Sequence, residues 1–211
     1  MTARVQHALR GGSMIITGTE DLRIQKTMAS IDNAFSRLLL ESEYAEISIK
    51  NICDLAKINK KTFYRYYATI HDLFREKLEQ FSLEFMERVS KYTLPQDLRQ
   101  VNRAFFMYAS EQGSLYERLI CHEAYSTYGS RMLRDFVHRT WNTSEVLVSL
   151  DIYRKNMLLC FLQATGTELY RQWIRDGKAI PLEEIIQLSE ALLCNGVQGF
   201  LERVHAPVFS M

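Results

Sequence analysis

The stretch from Lys57 to Tyr67, KINKKTFYRYY, places four basic and four aromatic residues in eleven positions. From Leu55 to His71 no Asp or Glu interrupts the positive charge. A core helix does not carry so many charges, because burying an unpaired cation is costly. A merely solvated helix gains nothing from so many rings. A helix that packs on its own domain and also lies against an anionic surface needs both. Caps frame the stretch: Ser48 precedes an expected short helix over Ile49–Ala56, and Asn59 precedes a second over Lys60–Tyr67. Lys57-Ile58 forms the turn between them.

Two short helices with a tight turn, the second basic, make a helix-turn-helix pattern. Lysine and arginine neutralise phosphates and release counterions, which supplies affinity. Tyrosine hydroxyls donate to phosphate oxygens while their rings pack on the core, which fixes register. The expected partner is therefore double-stranded DNA. On either side the helical rhythm continues, through Leu22, Met28, Ile31, Phe35 and Leu38 before the motif and Leu73, Phe74, Leu78, Phe81 and Phe85 after it. Neither glycine nor proline occurs from Thr19 to Leu94, and the fold is expected to be all-α, with about nine helices. Two long C-terminal helices are expected over Asp151–Arg175 and Leu182–Val204, split by Gly177 and Pro181.

Composition sets the frame for these motifs. The chain has 211 residues, 47% hydrophobic and 24% charged, with a net charge of +1. Its whole-molecule field selects no partner, so electrostatic attraction must come from a local patch. Four cysteines, Cys53, Cys121, Cys160 and Cys194, stand far apart with no CxxC pair, as expected of reduced thiols in a cytoplasmic protein. No run is long and apolar enough for a membrane span. Residues 1–20 read as a flexible leader, vector-derived with Met14 as the native start, or else a native basic arm. No HExxH, GxSxG or phosphate-cradling glycine loop occurs, so no catalytic role and no cofactor are expected. The adjacent Cys121-His122 pair makes a poor zinc site, because neighbours on a helix point in different directions.

The run from Ser48 through Tyr67, followed by Asp72-Leu73-Phe74, resembles the DNA-binding domain of TetR-family regulators. Ser48, Ile52, Ala56, Ile58, Thr62, Phe63, Tyr64, Tyr66, Tyr67 and Leu73 occupy matching places, and the likeness is specific over roughly residues 24–80. It implies a helix-turn-helix DNA-binding domain over residues 21–75 and a ligand-binding and dimerisation domain over 76–211. It further implies phosphate contacts from Ser48, Thr62, Tyr64 and Tyr66. Lys60, Lys61 and Arg65 would face the groove, where Arg and Lys pair naturally with guanine. Three positions depart from the family pattern: Lys57 replaces a turn glycine, Lys61 a small residue, and Ile70 a common lysine.

By the same resemblance the C-terminal helices would hold a small organic effector. The expected pocket residues are Arg103, Phe106, Tyr125, Met132, Phe136, His138, Tyr153, Met157 and Phe161; the alternative is that each is ordinary core. Leu162, Thr165, Leu169 and Trp173 on one long helix, with Leu188, Leu192 and Val197 on the other, form expected dimer-interface stripes. The resulting expectation is a homodimeric repressor on a palindromic operator, released by its effector. The alternative is a ligand-binding coactivator of the same fold that acts through protein partners and reads no DNA.

Overall fold

Helix α1 (Thr19–Glu41) owes its orientation to Ile31, Ala34, Phe35 and Leu39, which recur at helical spacing and are all buried. The computed structural model describes residues 19–123, 125 and 148–205, so most of the expected leader lies outside the described residues. A 3-10 turn at Tyr44–Glu46 leads to α2 (Ile49–Ala56). Ser48 caps α2 as expected: its Oγ accepts from the Asn51 N–H at 3.1 Å, and the Ser48 N–H donates to Asn51 Oδ1 at 3.2 Å. Helix α3 spans Lys60–Tyr66, one residue shorter than expected, because Tyr67 turns extended (φ −133°) and buries its ring. Thr69 and Asp72 form a second capping box that starts α4 (Ile70–Val89).

These four helices close around Phe35, Ile52, Phe63, Tyr67 and Phe74. Burying each such aliphatic or phenyl side chain is worth about 1.5–3 kcal/mol. The charged face of α3 is thus held by apolar contacts on its opposite side. Lys77 of α4, though buried, is paired with Asp32 of α1 at 2.5 Å.

Beyond α4 come α5 (Leu98–Glu111), α6 (Gly113–Cys121), α7 (Ile152–Arg175) and α8 (Leu182–His205). Among the described residues there are eight α-helices and no strand. Gly113 (φ 68°) supplies the left-handed backbone that breaks α5 from α6. The turn between α7 and α8 uses Gly177 (φ 65°) and also Lys178 (φ 58°), whose N–H bonds back to the Trp173 carbonyl at 2.8 Å. α8 packs on both α7 and α5. Two further cores result, one around Val89, Leu98, Leu158 and Val197, the other around Phe106, Tyr116, Ile120, Tyr170 and Ile186.

Helix α6 belongs to both halves. Leu119 is fully buried in the N-terminal core, while Tyr116, one turn earlier, packs in the C-terminal one. Arg118 reaches the Ser42 carbonyl at 3.1 Å. Past the end of α6, the His122 ring lies 4.4 Å from Tyr44 and 5.0 Å from Phe74 between centroids. The Tyr44 hydroxyl is hydrogen-bonded to His71 Nδ1 at 2.9 Å.

Two outcomes test this joint. Leu119→Ala should cost about 2–5 kcal/mol in denaturant unfolding, a loss below about 1 kcal/mol being incompatible with its place in the N-terminal core. Burial holds the His122 imidazole below its ordinary range, opposed by Glu123 and reinforced by His71. The unfolded chain then takes up a proton near pH 6.5 that the folded chain resists, so stability is full above about that pH and declines below it. A melting-temperature series across this window should fall in the wild type and flatten in His122→Phe. Equal slopes would acquit His122.

Candidate nucleic-acid interface

Seven residues form α3, and burial divides them by face. Phe63 is fully buried, followed one turn later by Tyr67. Lys60, Lys61, Tyr64 and Arg65 are exposed on the opposite side, and Thr62 and Tyr66 are half-buried at the flank. Tyr64 exposes 55% of its surface yet keeps its ring edge-on to Phe63 at 5.8 Å. The Arg65 guanidinium sits 6.0 Å from the Tyr66 ring. Among the described residues, Lys57, Lys60, Lys61 and Arg65 form no ion pair, so their charge is available to an external anion.

Two of the hydroxyls expected on phosphates already serve as parts of caps. Asn59 Oδ1 accepts from the Thr62 N–H at 2.8 Å and from its hydroxyl at 3.1 Å. The Ser48 hydroxyl, likewise exposed, is directed at Asn51. Among the described residues, the Tyr64 and Tyr66 hydroxyls of this face make no hydrogen bond within the chain. Lys57 adopts φ 55° and ψ 45° at the end of α2, closing it through Ile58 N–H to Cys53 carbonyl at 3.0 Å. The glycine-like conformation is therefore kept without glycine. Ile70 begins α4 and packs at the edge of the N-terminal core.

The sequence did not bring Arg23 and Lys26 to this face. They line, with Lys57 and Ile58, a shallow groove between α1 and the turn. Both are exposed and extend the positive surface past α3. More than thirty positions separate them from Lys57, and the packing of α1 on α2 brings them beside it.

A second concave site lies between α4, α5, α7 and α8, an apolar cavity of about 130 Å³. Phe85, Met86, Leu98, Phe105 and Leu193 are among its apolar walls, and Asn102, Gln163 and Thr167 among its polar ones. Of the expected pocket residues, Tyr125 lines it. Its hydroxyl is hydrogen-bonded to Tyr116 and Thr167. Arg103 lies outside the wall, exposed and gripping the Glu183 carboxylate through two bonds of 2.8 and 2.5 Å. Phe106 is fully buried in the neighbouring core. Tyr153, Met157 and Phe161 point outward, with 78%, 67% and 37% of their surfaces exposed. Met132, Phe136 and His138 lie outside the described residues.

The expected dimer stripes divide similarly. Leu188 and Leu192 are exposed on α8, at 49% and 57%. Trp173 and Val197 are buried within the chain, Trp173 donating its indole N–H to the Ile180 carbonyl at 2.8 Å. Leu162 lines the cavity, and Thr165 and Leu169 are half-buried. Gly196 has an evident packing role, since a Cβ there would stand 2.5 Å from the Phe161 ring. All four cysteines are free. Among the described residues no group of three His, Cys, Asp or Glu is placed to hold a metal, and no helix is long and apolar enough to cross a membrane.

No family model and no curated protein matches the sequence. Solved structures do match the fold. A TetR transcriptional regulator from Streptococcus agalactiae 2603V superposes with a TM-score of 0.63 at 20% identity, over 82% of this chain and 97% of that one. A TetR-like transcriptional regulator from Rhodococcus sp. RHA1 gives 0.53 at 18% identity, over 87% and 100%. The fatty acid degradation regulator FadR from Bacillus halodurans gives 0.51 at 13% identity, over 85% and 96%. The fold is of the TetR type.

Within this TetR-type fold, Lys57 combines an uncommon backbone with a cation beside the groove. Lys57→Gly should relieve the left-handed conformation while removing the charge. Unfolding free energy is expected to stay equal or rise by up to about 1 kcal/mol, while affinity for any duplex falls and its salt dependence weakens by about one counterion. A loss of stability in the variant would contradict the strain.

Proposed function

We propose that the chain is a homodimeric transcriptional regulator that reads a palindromic operator through α2 and α3 and is released by a small effector. The observation that carries this reading is the face of α3, where Lys60, Lys61, Tyr64 and Arg65 stand exposed and unopposed by acid. The apolar grip of Phe63 and Tyr67 behind them keeps that face rigid. A rigid cationic helix can enter a major groove, with Arg65 and Lys61 at base edges and tyrosines on phosphates.

A palindrome needs two such faces. Leu188, Leu192 and Met157 expose apolar surface on the two C-terminal helices, and two copies pairing there would form a four-helix bundle. The cavity supports a regulatory role, because Tyr116 lies in its wall and Leu119 of the same helix lies in the reading domain's core. A ligand that favours a different placement of α6 shifts the population towards a spacing the operator does not accept.

Selection of bound duplexes from a random pool checks the reading. The wild type should enrich a two-fold symmetric site with half-sites about one helical turn apart. Arg65→Ala should weaken binding by about 1–3 kcal/mol and relax one position of the half-site. Enrichment of no site, with salt-sensitive background alone and no effect of Arg65→Ala, would replace this reading by a coactivator working through protein partners.

A further inference from the structure

We infer that the cavity takes a neutral, largely apolar ligand carrying a hydrogen-bond acceptor, and that the Asn102 side-chain amide recognises that acceptor. The inference names the effector class for the regulator proposed above, but its physical basis is the cavity alone.

Asn102 stands in the cavity wall on α5 with 4% of its surface exposed. Its Oδ1 accepts the hydroxyl proton of Ser189, itself fully buried on α8, at 2.9 Å. That bond fixes the amide, and Nδ2 is left buried without an acceptor. Buried donors are ordinarily paired, and one that is not lowers stability until something supplies the missing acceptor. A carbonyl or ether oxygen that enters the cavity and reaches Nδ2 does so. Ser189 does not, since its hydroxyl meets the amide at Oδ1 and leaves Nδ2 without a partner.

Charge decides the rest of the ligand's chemistry. Among the described residues, no Lys, Arg or His lines the cavity. Arg171 lies behind the wall, 5.2 Å from the Tyr125 ring, and its guanidinium is occupied by the Ile120 and His122 carbonyls and by Glu168. A carboxylate entering this space would lose its hydration with no free counter-charge to meet it. Phe85, Met86, Leu98, Phe105 and Leu193 offer dispersion and apolar burial, and the other polar walls, Gln163 and Thr167 among them, carry no charge. The bond from Asn102 to Ser189 also ties the recognising amide to α8, the helix of the proposed dimer face.

Acetophenone, cumene and benzoate share one shape and differ in the acceptor and the charge, so they serve as probes. Each is titrated by NMR into the full chain and into Asn102→Leu, a substitution that keeps the volume and removes the donor. Acetophenone should bind about ten-fold more weakly to the variant, while cumene binds both equally or prefers the variant. Benzoate should bind the wild type less tightly than acetophenone. In the wild type itself, acetophenone and not cumene should move the Asn102 side-chain amide protons downfield, a readout that survives if Asn102→Leu misfolds. Equal losses for acetophenone and cumene, an unmoved amide signal, or benzoate binding at least as tightly as acetophenone would overturn the inference. None of these titrations involves DNA. A chain that shows the Asn102 dependence but enriches no operator keeps this inference and loses the regulator, and the opposite pair of results does the reverse.

Discussion

The arrangement depends on Leu119, a side chain from the C-terminal helices buried in the N-terminal core. Without that insertion the two halves would be joined by the continuous helix α4 and by the contacts of Arg118 and His122 at the edge of the core, and a rearrangement in one would be felt more weakly in the other. With it, α6 is clamped at both levels. Its end is held by Arg171 of α7, whose Nε donates to the Ile120 carbonyl at 2.5 Å and whose Nη2 reaches the His122 carbonyl at 3.3 Å. These are carbonyls that the last turn of a helix leaves without intrahelical partners, and a charged donor is a strong way to satisfy them. Packed elements of this kind shift between discrete positions rather than bending continuously. In the regulator proposed above, this is what would let α6 carry a signal that surface contacts would not.

Local chemistry was legible in the sequence wherever a cap or a break announces itself. Ser48 and Asn59 start the helices they were expected to start, since a hydroxyl or amide oxygen at the N-cap satisfies an N–H at the helix start. The two faces of α3 were legible too, because a seven-residue helix has room for one charged side and one apolar side. Arg23 and Lys26 were not, since their place beside Lys57 is a fact of tertiary packing. Lys57 itself shows a rule overridden: a non-glycine takes the left-handed turn, with Ile58 closing α2 and the lysine side chain left in solvent.

The C-terminal half was less legible for a physical reason. An apolar side chain at helical spacing announces that it will be covered, without saying by what. Tyr153, Met157 and Phe161 follow one stripe of α7 and lie outward, while Leu158, Tyr170 and Trp173 of the same helix are buried within the chain. Both stripes read alike because α7 is apolar on more than one side. Arg103 misled in the other direction: a cation among aromatics looks like a ligand's counter-charge, and its partner Glu183 lies eighty residues away. Asn102 carried no signal at all. Its importance arises from Ser189, eighty-seven residues distant, and from the donor their bond leaves over.

A net charge of +1 and a strongly cationic α3 are compatible because acids and bases are paired off elsewhere. In the C-terminal helices Arg88 meets Glu111, Arg103 meets Glu183, and Lys178 meets Glu117 at 2.6 Å. Most such exposed pairs contribute little to stability, on the order of 0–1 kcal/mol. Their larger effect is on the field: cations neutralised at short range add nothing at the distance of a Debye length. The residues left unpaired on and beside α3 then dominate what an approaching polyanion meets. In the proposed DNA reader, orientation on a duplex would follow from this subtraction as much as from the lysines themselves, since the acid-free run from Leu55 to His71 includes the helix that Phe63 and Tyr67 anchor to the core.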